Sequence, residues 1–203
     1  MAKLEYAEHG RTFITSDTHF GHEKACDLFD RQYSDLASME TALISNFNSN
    51  MGPDDTLYHL GDFVGEMPTV QMKIMKAKAI REQLHVGKII LIRGNHDPYK
   101  KKYDGIFDQV HEIYSCKGWK SGKERITLCH YPMRVWRGNR SGSIHLYGHA
   151  HGRLEEMGRS TDVGVDCWDF TPIEIDHVIE MLNRREPHLI PGRKRRQQPF
   201  RTP

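Results

Sequence analysis

The sequence predicts an α/β fold. Apolar runs and helical periodicities alternate as β-α-β-α-β over the first half, and short strand-like runs dominate the second half. Five of those runs end abruptly in glycine, histidine, aspartate or asparagine, a composition poor for packing and suited to one functional edge of a sheet. At 203 residues the chain has the length for one enclosed core and little more. Residues 1–186 are therefore expected to form one domain, and residues 187–203, rich in Pro, Arg and Gln, a basic disordered tail.

The first strand is read at Thr12-Phe13-Ile14-Thr15, closing in Ser16-Asp17-Thr18-His19-Phe20-Gly21-His22. Met39, Leu43 and Phe47 recur at helical spacing across Ser38 to Asn50, with Ser38 as the N-cap. Gly52-Pro53-Asp54-Asp55 breaks that helix, and Thr56 to Leu60 forms a second strand ending in Gly61-Asp62. Pro68 opens the next helix at its first turn, with Val70, Ile74, Ala77 and Leu84 on the buried face and Gly87 at its end. Ile89-Ile90-Leu91-Ile92 is the third strand, closed by Arg93-Gly94-Asn95-His96-Asp97. This order favours parallel strands joined by crossover helices. Val110 to Lys117 and Arg125 to Cys129 read as strands joined by a turn at Lys120-Ser121-Gly122-Lys123, the second ending in His130. Ile144 to Tyr147 is another strand, ending in Gly148-His149-Ala150-His151, and Val163-Gly164-Val165 is a further short one. Ile173, Val178, Ile179 and Leu182 mark a closing helix, with strand character in the approach from Thr171 to Ile175.

Composition bounds the function. Charged residues make up 28% and hydrophobic ones 37%, and the apolar runs of four or five residues are far too short for a membrane span. Met1 to Tyr6 lacks the apolar core of a secretory signal. Cys26, Cys116, Cys129 and Cys167 show no paired spacing and read as thiols in a reducing compartment, so a cytoplasmic location is expected. From Asn183 onward seven Lys/Arg face one acid; that segment carries +6 of a net +2, leaving −4 on the body. The 13 histidines acquire meaning only from where they stand.

They stand at strand ends: Asp17-x-His19, Gly61-Asp62, Gly94-Asn95-His96-Asp97, His130 and Gly148-His149-x-His151. Residues two apart in extended chain point to one side, so Asp17 with His19, and His149 with His151, are each able to reach a common centre. Glycine before Asp62, Asn95 and His149 lets the chain turn without a side chain in the way. Taken singly, each motif has a bland rival. Asp-x-His after a strand is ordinarily a turn or cap, Gly-Asp a turn, and a lone histidine a satisfied interior or surface group. Agreement of residue type, order and strand-end position in all five outweighs those rivals.

This ordered set resembles the calcineurin-like metallophosphoesterases, from Ile14 to about Gly152, with the texture of Tyr131-Pro132-Met133-Arg134-Val135-Trp136 and Asp162-Val163-Gly164-Val165-Asp166 similar to small bacterial and phage-encoded phosphoesterases. The resemblance implies a four-layer α-β-β-α sandwich of two mixed sheets flanked by helices. It also implies two divalent transition-metal ions: one held by Asp17, His19 and His151, the other by Asn95, His130 and His149, with Asp62 bridging. Mixed imidazole, carboxylate and amide donors suit Mn, Fe, Ni, Co or Zn and argue against a thiolate or an all-oxygen calcium site. Two ions about 3.5–4 Å apart bind a phosphate between them and acidify a bridging water to a hydroxide that attacks phosphorus. His96 is implied to stabilise the transition state or protonate the leaving alkoxide, a task fitted to an imidazole at neutral pH. Asp97 reads mainly as a turn or cap group. Asp62 and His96 are thus the expected catalytic pair.

The family's protein phosphatases carry an arginine after the second motif and end the third in Glu; here Phe63-Val64-Gly65-Glu66 follows Asp62 and the third motif ends in Asp97. A phosphodiester is therefore the favoured substrate, with a nucleotide among the candidates and phosphomonoesterase or nuclease activity as alternatives. Arg134 and Arg137 are placed to neutralise a second phosphate and Trp136 to stack on a base; the level rival is a solvated basic loop anchored by one aromatic. His22 resembles a position near the family's cleft. The run Arg193-Lys194-Arg195-Arg196 is a candidate nucleic-acid contact, with a solvated end as the default. A non-catalytic scaffold ranks behind the enzyme, because every expected ligand is present.

Overall fold

A computed structural model describes residues 10–119 and 124–187; the expected turn at Lys120 to Lys123 and the basic run from Arg193 lie outside them. The chain is an α/β sandwich of two mixed sheets flanked by helices. The first sheet has the order β4-β3-β2-β1-β9: β1 (Thr12–Thr15), β2 (Thr56–His59), β3 (Lys88–Ile92) and β4 (Gln109–His111) run parallel, and β9 (Ile173–Glu174) lies antiparallel against β1. The second has the order β5-β6-β7-β8: β5 (Ile113–Trp119) pairs antiparallel with β6 (Glu124–Cys129), followed in parallel by β7 (Ile144–Tyr147) and β8 (Ser160–Asp162). The helices are a short α1 (Ala25–Leu28), α2 (Leu36–Asn50), α3 (Val70–Gln83) and α4 (Ile175–Asn183). None among the described residues is long and apolar enough to cross a membrane. All four cysteines are free.

The continuous apolar runs divide between two cores by strand alternation. Phe13, Leu57, Ile89 and Leu91 face α2 and α3, packing with Met39, Leu43, Phe47, Ala77 and Ile80. Ile14, Tyr58, Ile90 and Ile92 face the second sheet and meet Tyr114, Cys116, Ile126, Leu128, Ile144 and Leu146, with Val178, Ile179 and Leu182 of α4 closing this cluster. Burial of each such side chain is worth about 1.5–3 kcal/mol. Stacking the sheets this way brings the carboxyl ends of β1, β2, β3, β6 and β7 to one edge.

Several expected details shift. Asp35, not Ser38, caps α2: its carboxylate accepts the Ser38 N–H at 2.7 Å while the Ser38 hydroxyl returns to the Asp35 N–H, a reciprocal capping box. In α3 the cap is Thr69, so Pro68 lies outside the helix; Val70 is half exposed, and Ile80 takes the buried place expected for it. The expected strand Val110 to Lys117 is two strands that part at Glu112 and join different sheets. The strand expected at Val163-Gly164-Val165 is displaced to the polar run Ser160-Thr161-Asp162; Gly164 keeps only an isolated bridge to Ser16.

Candidate metal centre

The loops after β1, β2, β3, β6 and β7 deliver the expected ligands to one place. Three overlapping groups have ligand atoms within 4.8 Å of one another: Asp17, His19 and His151; His19, Asp62 and His96; and Asp62, His130 and His149. Asn95 joins the last through its Oδ1, 3.0 Å from His130 Nε2. Asp62 stands between the halves, with Oδ2 3.7 Å from His19 Nε2 and 3.4 Å from His130 Nε2. Its other oxygen accepts the His96 N–H at 2.8 Å, which leaves Oδ2 to face both halves.

Extended geometry is not what makes these residues converge. Asp17, His19, Asp62, His149 and His151 all adopt positive φ, between 49° and 67°, a conformation uncommon for non-glycine residues and concentrated at functional sites. Same-side alternation fails for His149 and His151, which split between the two halves. Close approach, rather than freedom of φ, explains Gly148: a Cβ there would fall on Ser16 Oγ and Asp17 Oδ2.

The donors fit divalent transition metals. Asp17 Oδ1 and His19 Nε2 are fully buried yet have no hydrogen-bond partner, an arrangement costly unless a cation completes it. The His130 Nδ1–H donates to the Leu60 carbonyl at 2.8 Å and the His151 Nδ1–H to Asp166 at 2.7 Å, so in each ring Nε2 is the nitrogen turned toward the site.

Residues 10–179 match the family described as calcineurin-like phosphoesterase. The chain belongs to that family. It is a metal-dependent phosphoric ester hydrolase. An uncharacterized protein of Methanocaldococcus jannaschii is 27% identical, over 86% of this chain and 92% of its own. The gene 66 protein of Mycobacterium phage L5 is 24% identical, over 85% and 94%. A protein of unknown function from Aquifex aeolicus, known as a crystal structure, shares the fold with a TM-score of 0.61 at 24% identity, covering 84% of this chain and 98% of that one.

Electrostatics of the phosphoesterase site are dominated by burial of its charged groups. Burial pushes the Asp17 carboxyl up to about 7, against the opposing pull of His130 and His151. Burial raises Asp62 as well, but the hydrogen bond and charge of His130, with His19 beside it, hold it well below the usual carboxylate range. His130 shows the reciprocal balance: burial lowers it, and the bond to Asp62 with the charges of Asp17 and Asp62 lifts it to about 9. Burial drives His19 well below the ordinary histidine value. A protein that buries two carboxylates among imidazoles in this way suits an added cation.

The other expected site residues divide between the site and the loops around it. His96 lies at the mouth of the site, its Nδ1 3.1 Å from Glu66 Oε2 and its carbonyl accepting Lys73 Nζ at 2.9 Å. His22 backs His19, Nδ1 to Nδ1 at 3.2 Å, with its ring 5.9 Å from that of His96. Arg134 and Arg137 are exposed. Trp136 must be corrected as a base-stacking residue: it is buried against His145, and its Nε1–H donates to the Ser143 carbonyl at 3.1 Å, so it anchors the loop. Asp97 is a turn group, as expected, and a buried one. Unforeseen were Glu66, Phe29 stacked on His151 at 3.7 Å, and the pair Arg31–Asp166. In the sequence Asp166 stands out only as the end of the run Asp162-Val163-Gly164-Val165-Asp166, and Arg31 carries no local signal.

Proposed function

We propose that this phosphoesterase holds two divalent ions and hydrolyses phosphodiesters. The carrying observation is the chain of overlapping donor clusters, in which His19 links Asp17 and His151 to Asp62 and Asp62 continues to His130 and His149, with Asp17 Oδ1 and His19 Nε2 buried and unpartnered. Asp17, His19 and His151 would hold one ion; Asn95, His130 and His149 the other; the Asp62 carboxylate both. Ions bound there supply Lewis-acid stabilisation of phosphoryl oxygens and lower the pKa of water. The chain's own contribution is orientation and proton transfer. The Asp62 carboxylate is aimed by the His96 N–H, and Glu66 accepts from His96 Nδ1, turning Nε2 toward the leaving oxygen it protonates. His22, Arg134 and Arg137 are the proposed substrate contacts.

Charge supports the diester. Arg31 spends its guanidinium on Asp166 and the carbonyls of Asp17 and Thr18, and Lys73 is tied to Glu66 and the His96 carbonyl. These two cations are committed before substrate arrives, so that only more exposed groups such as Arg134 and Arg137 are left to offset its charge, which favours a singly charged diester over a doubly charged monoester.

The test is purified protein with Mn²⁺, Ni²⁺ or Zn²⁺, offered bis-(p-nitrophenyl) phosphate and p-nitrophenyl phosphate in parallel. Diester turnover is expected, abolished in Asp62→Asn and reduced about 10²–10⁴-fold in His96→Ala with metal content unchanged. Preference for the monoester overturns the diesterase reading. Turnover of polynucleotides alone, lost on deletion of residues 187–203, makes the protein a nuclease. Absence of bound metal and of turnover leaves a scaffold.

A further inference from the structure

We infer that Asp166, clamped by Arg31, is the positioning group for His151 and makes the Asp17–His19–His151 half the tighter of the two metal sites. The inference rests on the two-ion reading and adds an asymmetry to it. Arg31 is buried, and its donors are distributed with little to spare. Nε and Nη2 meet the two oxygens of Asp166 at 2.7 and 2.9 Å; Nη1 reaches the Thr18 carbonyl at 3.0 Å and Nη2 the Asp17 carbonyl at 2.6 Å. One guanidinium therefore joins the loop after β1 to the 3₁₀ turn Val165–Cys167. The same Asp166 oxygen that takes Nη2 also accepts the His151 Nδ1–H at 2.7 Å.

Stability alone is a poor reason for this arrangement, since a buried ion pair gains little over an apolar replacement. Its geometric effect is specific. The carboxylate fixes the His151 tautomer and ring orientation, with Nε2 inward, 3.9 Å from Asp17 Oδ1. Phe29, stacked on the same ring with the planes 9° apart, blocks one side from rotation and water. The other half has no carboxylate behind its imidazoles among the described residues. His130 leans on a neutral carbonyl, and the exposed His149 ring makes no hydrogen bond among the described residues.

The deciding experiment is a calorimetric titration of the metal-free full chain with Mn²⁺, paired with Co²⁺ absorbance and with circular dichroism to verify folding. The wild type is expected to bind two ions in separate steps. In Asp166→Asn the tighter step should weaken about 10–100-fold while the weaker one stays where it was, so that the steps merge. Arg31→Lys keeps the charge but not the two-oxygen grip, and should weaken the same step by less; it decides the matter if Asp166→Asn does not fold. Two steps with unchanged affinities in the folded variants, or equal weakening of both, would overturn the inference while leaving the two-ion reading intact. A wild type that binds fewer than two ions overturns both.

Discussion

Asp97 holds the backbone of Asp62. Its Oδ2 accepts the N–H groups of Asp62 at 2.7 Å and Gly94 at 2.9 Å, and its Oδ1 accepts the Phe63 N–H and the Tyr103 hydroxyl, both at 3.2 Å. A residue that binds no substrate thus sets where the shared carboxylate stands. In Asp97→Asn the amide nitrogen would face donors, leaving at least one buried N–H unpaired, at a cost of about 1–3 kcal/mol. Urea unfolding should show that loss. Phosphoesterase activity of the still-folded fraction should drop about 10–100-fold, and unchanged specific activity would separate Asp97 from the site.

Glu66 should matter far less than the histidine it contacts. Its side chain is 65% exposed, and an exposed pair is worth up to about 1 kcal/mol, a factor of about five. Glu66→Gln is expected to lower kcat by no more than that at full metal loading, leaving the metal affinity alone. A loss as large as that of His96→Ala would mean that Glu66 takes part directly.

Gly148→Ala should damage metal binding before it damages the fold. The new methyl would displace Asp17 from the His149 N–H that it accepts at 2.8 Å. Overpacking of this kind costs about 1–3 kcal/mol. Gly52 has open space around it, so Gly52→Ala serves as the control. Equal Mn²⁺ affinity in the two variants would show that the loop yields without moving the carboxylate.

His145 gives the protein an acid limb unrelated to catalysis. Buried beneath Trp136, it donates from Nδ1 to the Thr127 carbonyl at 3.1 Å and accepts the Met133 N–H at Nε2, and burial pushes its pKa down to about 4. The unfolded chain binds the proton near the ordinary value of 6.5. Its stabilising contribution is therefore complete above that value and is lost as pH falls toward 4, by on the order of 3 kcal/mol. Unfolding free energies measured at pH 7 and pH 5 should differ less in His145→Asn than in the wild type.

Much of this was legible in the sequence because alternation and strand-end chemistry are local. Thr12 to Thr15, Ile89 to Ile92 and Ile144 to Tyr147 announce themselves as apolar runs, and the ligand types stand directly after them. What escaped depended on partners far along the chain. Ser160-Thr161-Asp162 is buried and polar, so nothing apolar marks it as a strand. Val110 to Lys117 reads as one run because the change of sheet at Glu112 needs no glycine or proline. Trp136 looked available because its neighbours are charged, while its hydrogen-bond acceptor, Ser143, is set by the fold of the loop. Arg31 and Asp166 meet 135 positions apart, a distance at which one sequence carries no pairing signal.

The His149 N–H to Asp17 bond joins residues 132 apart in the chain, and that separation governs order of assembly. Closing a loop of that length costs about 4 kcal/mol in chain entropy, more than the roughly 1.5–3 kcal/mol a charged hydrogen bond returns. The bond cannot draw its ends together; both sheets must already have done so. Asp17 is among the first of these residues to leave the ribosome, and it has no completed site to enter until β7 has been made and docked. The centre is consequently completed only after the two sheets have been seated against each other. Metal retention thus reports on the seating of one sheet against the other.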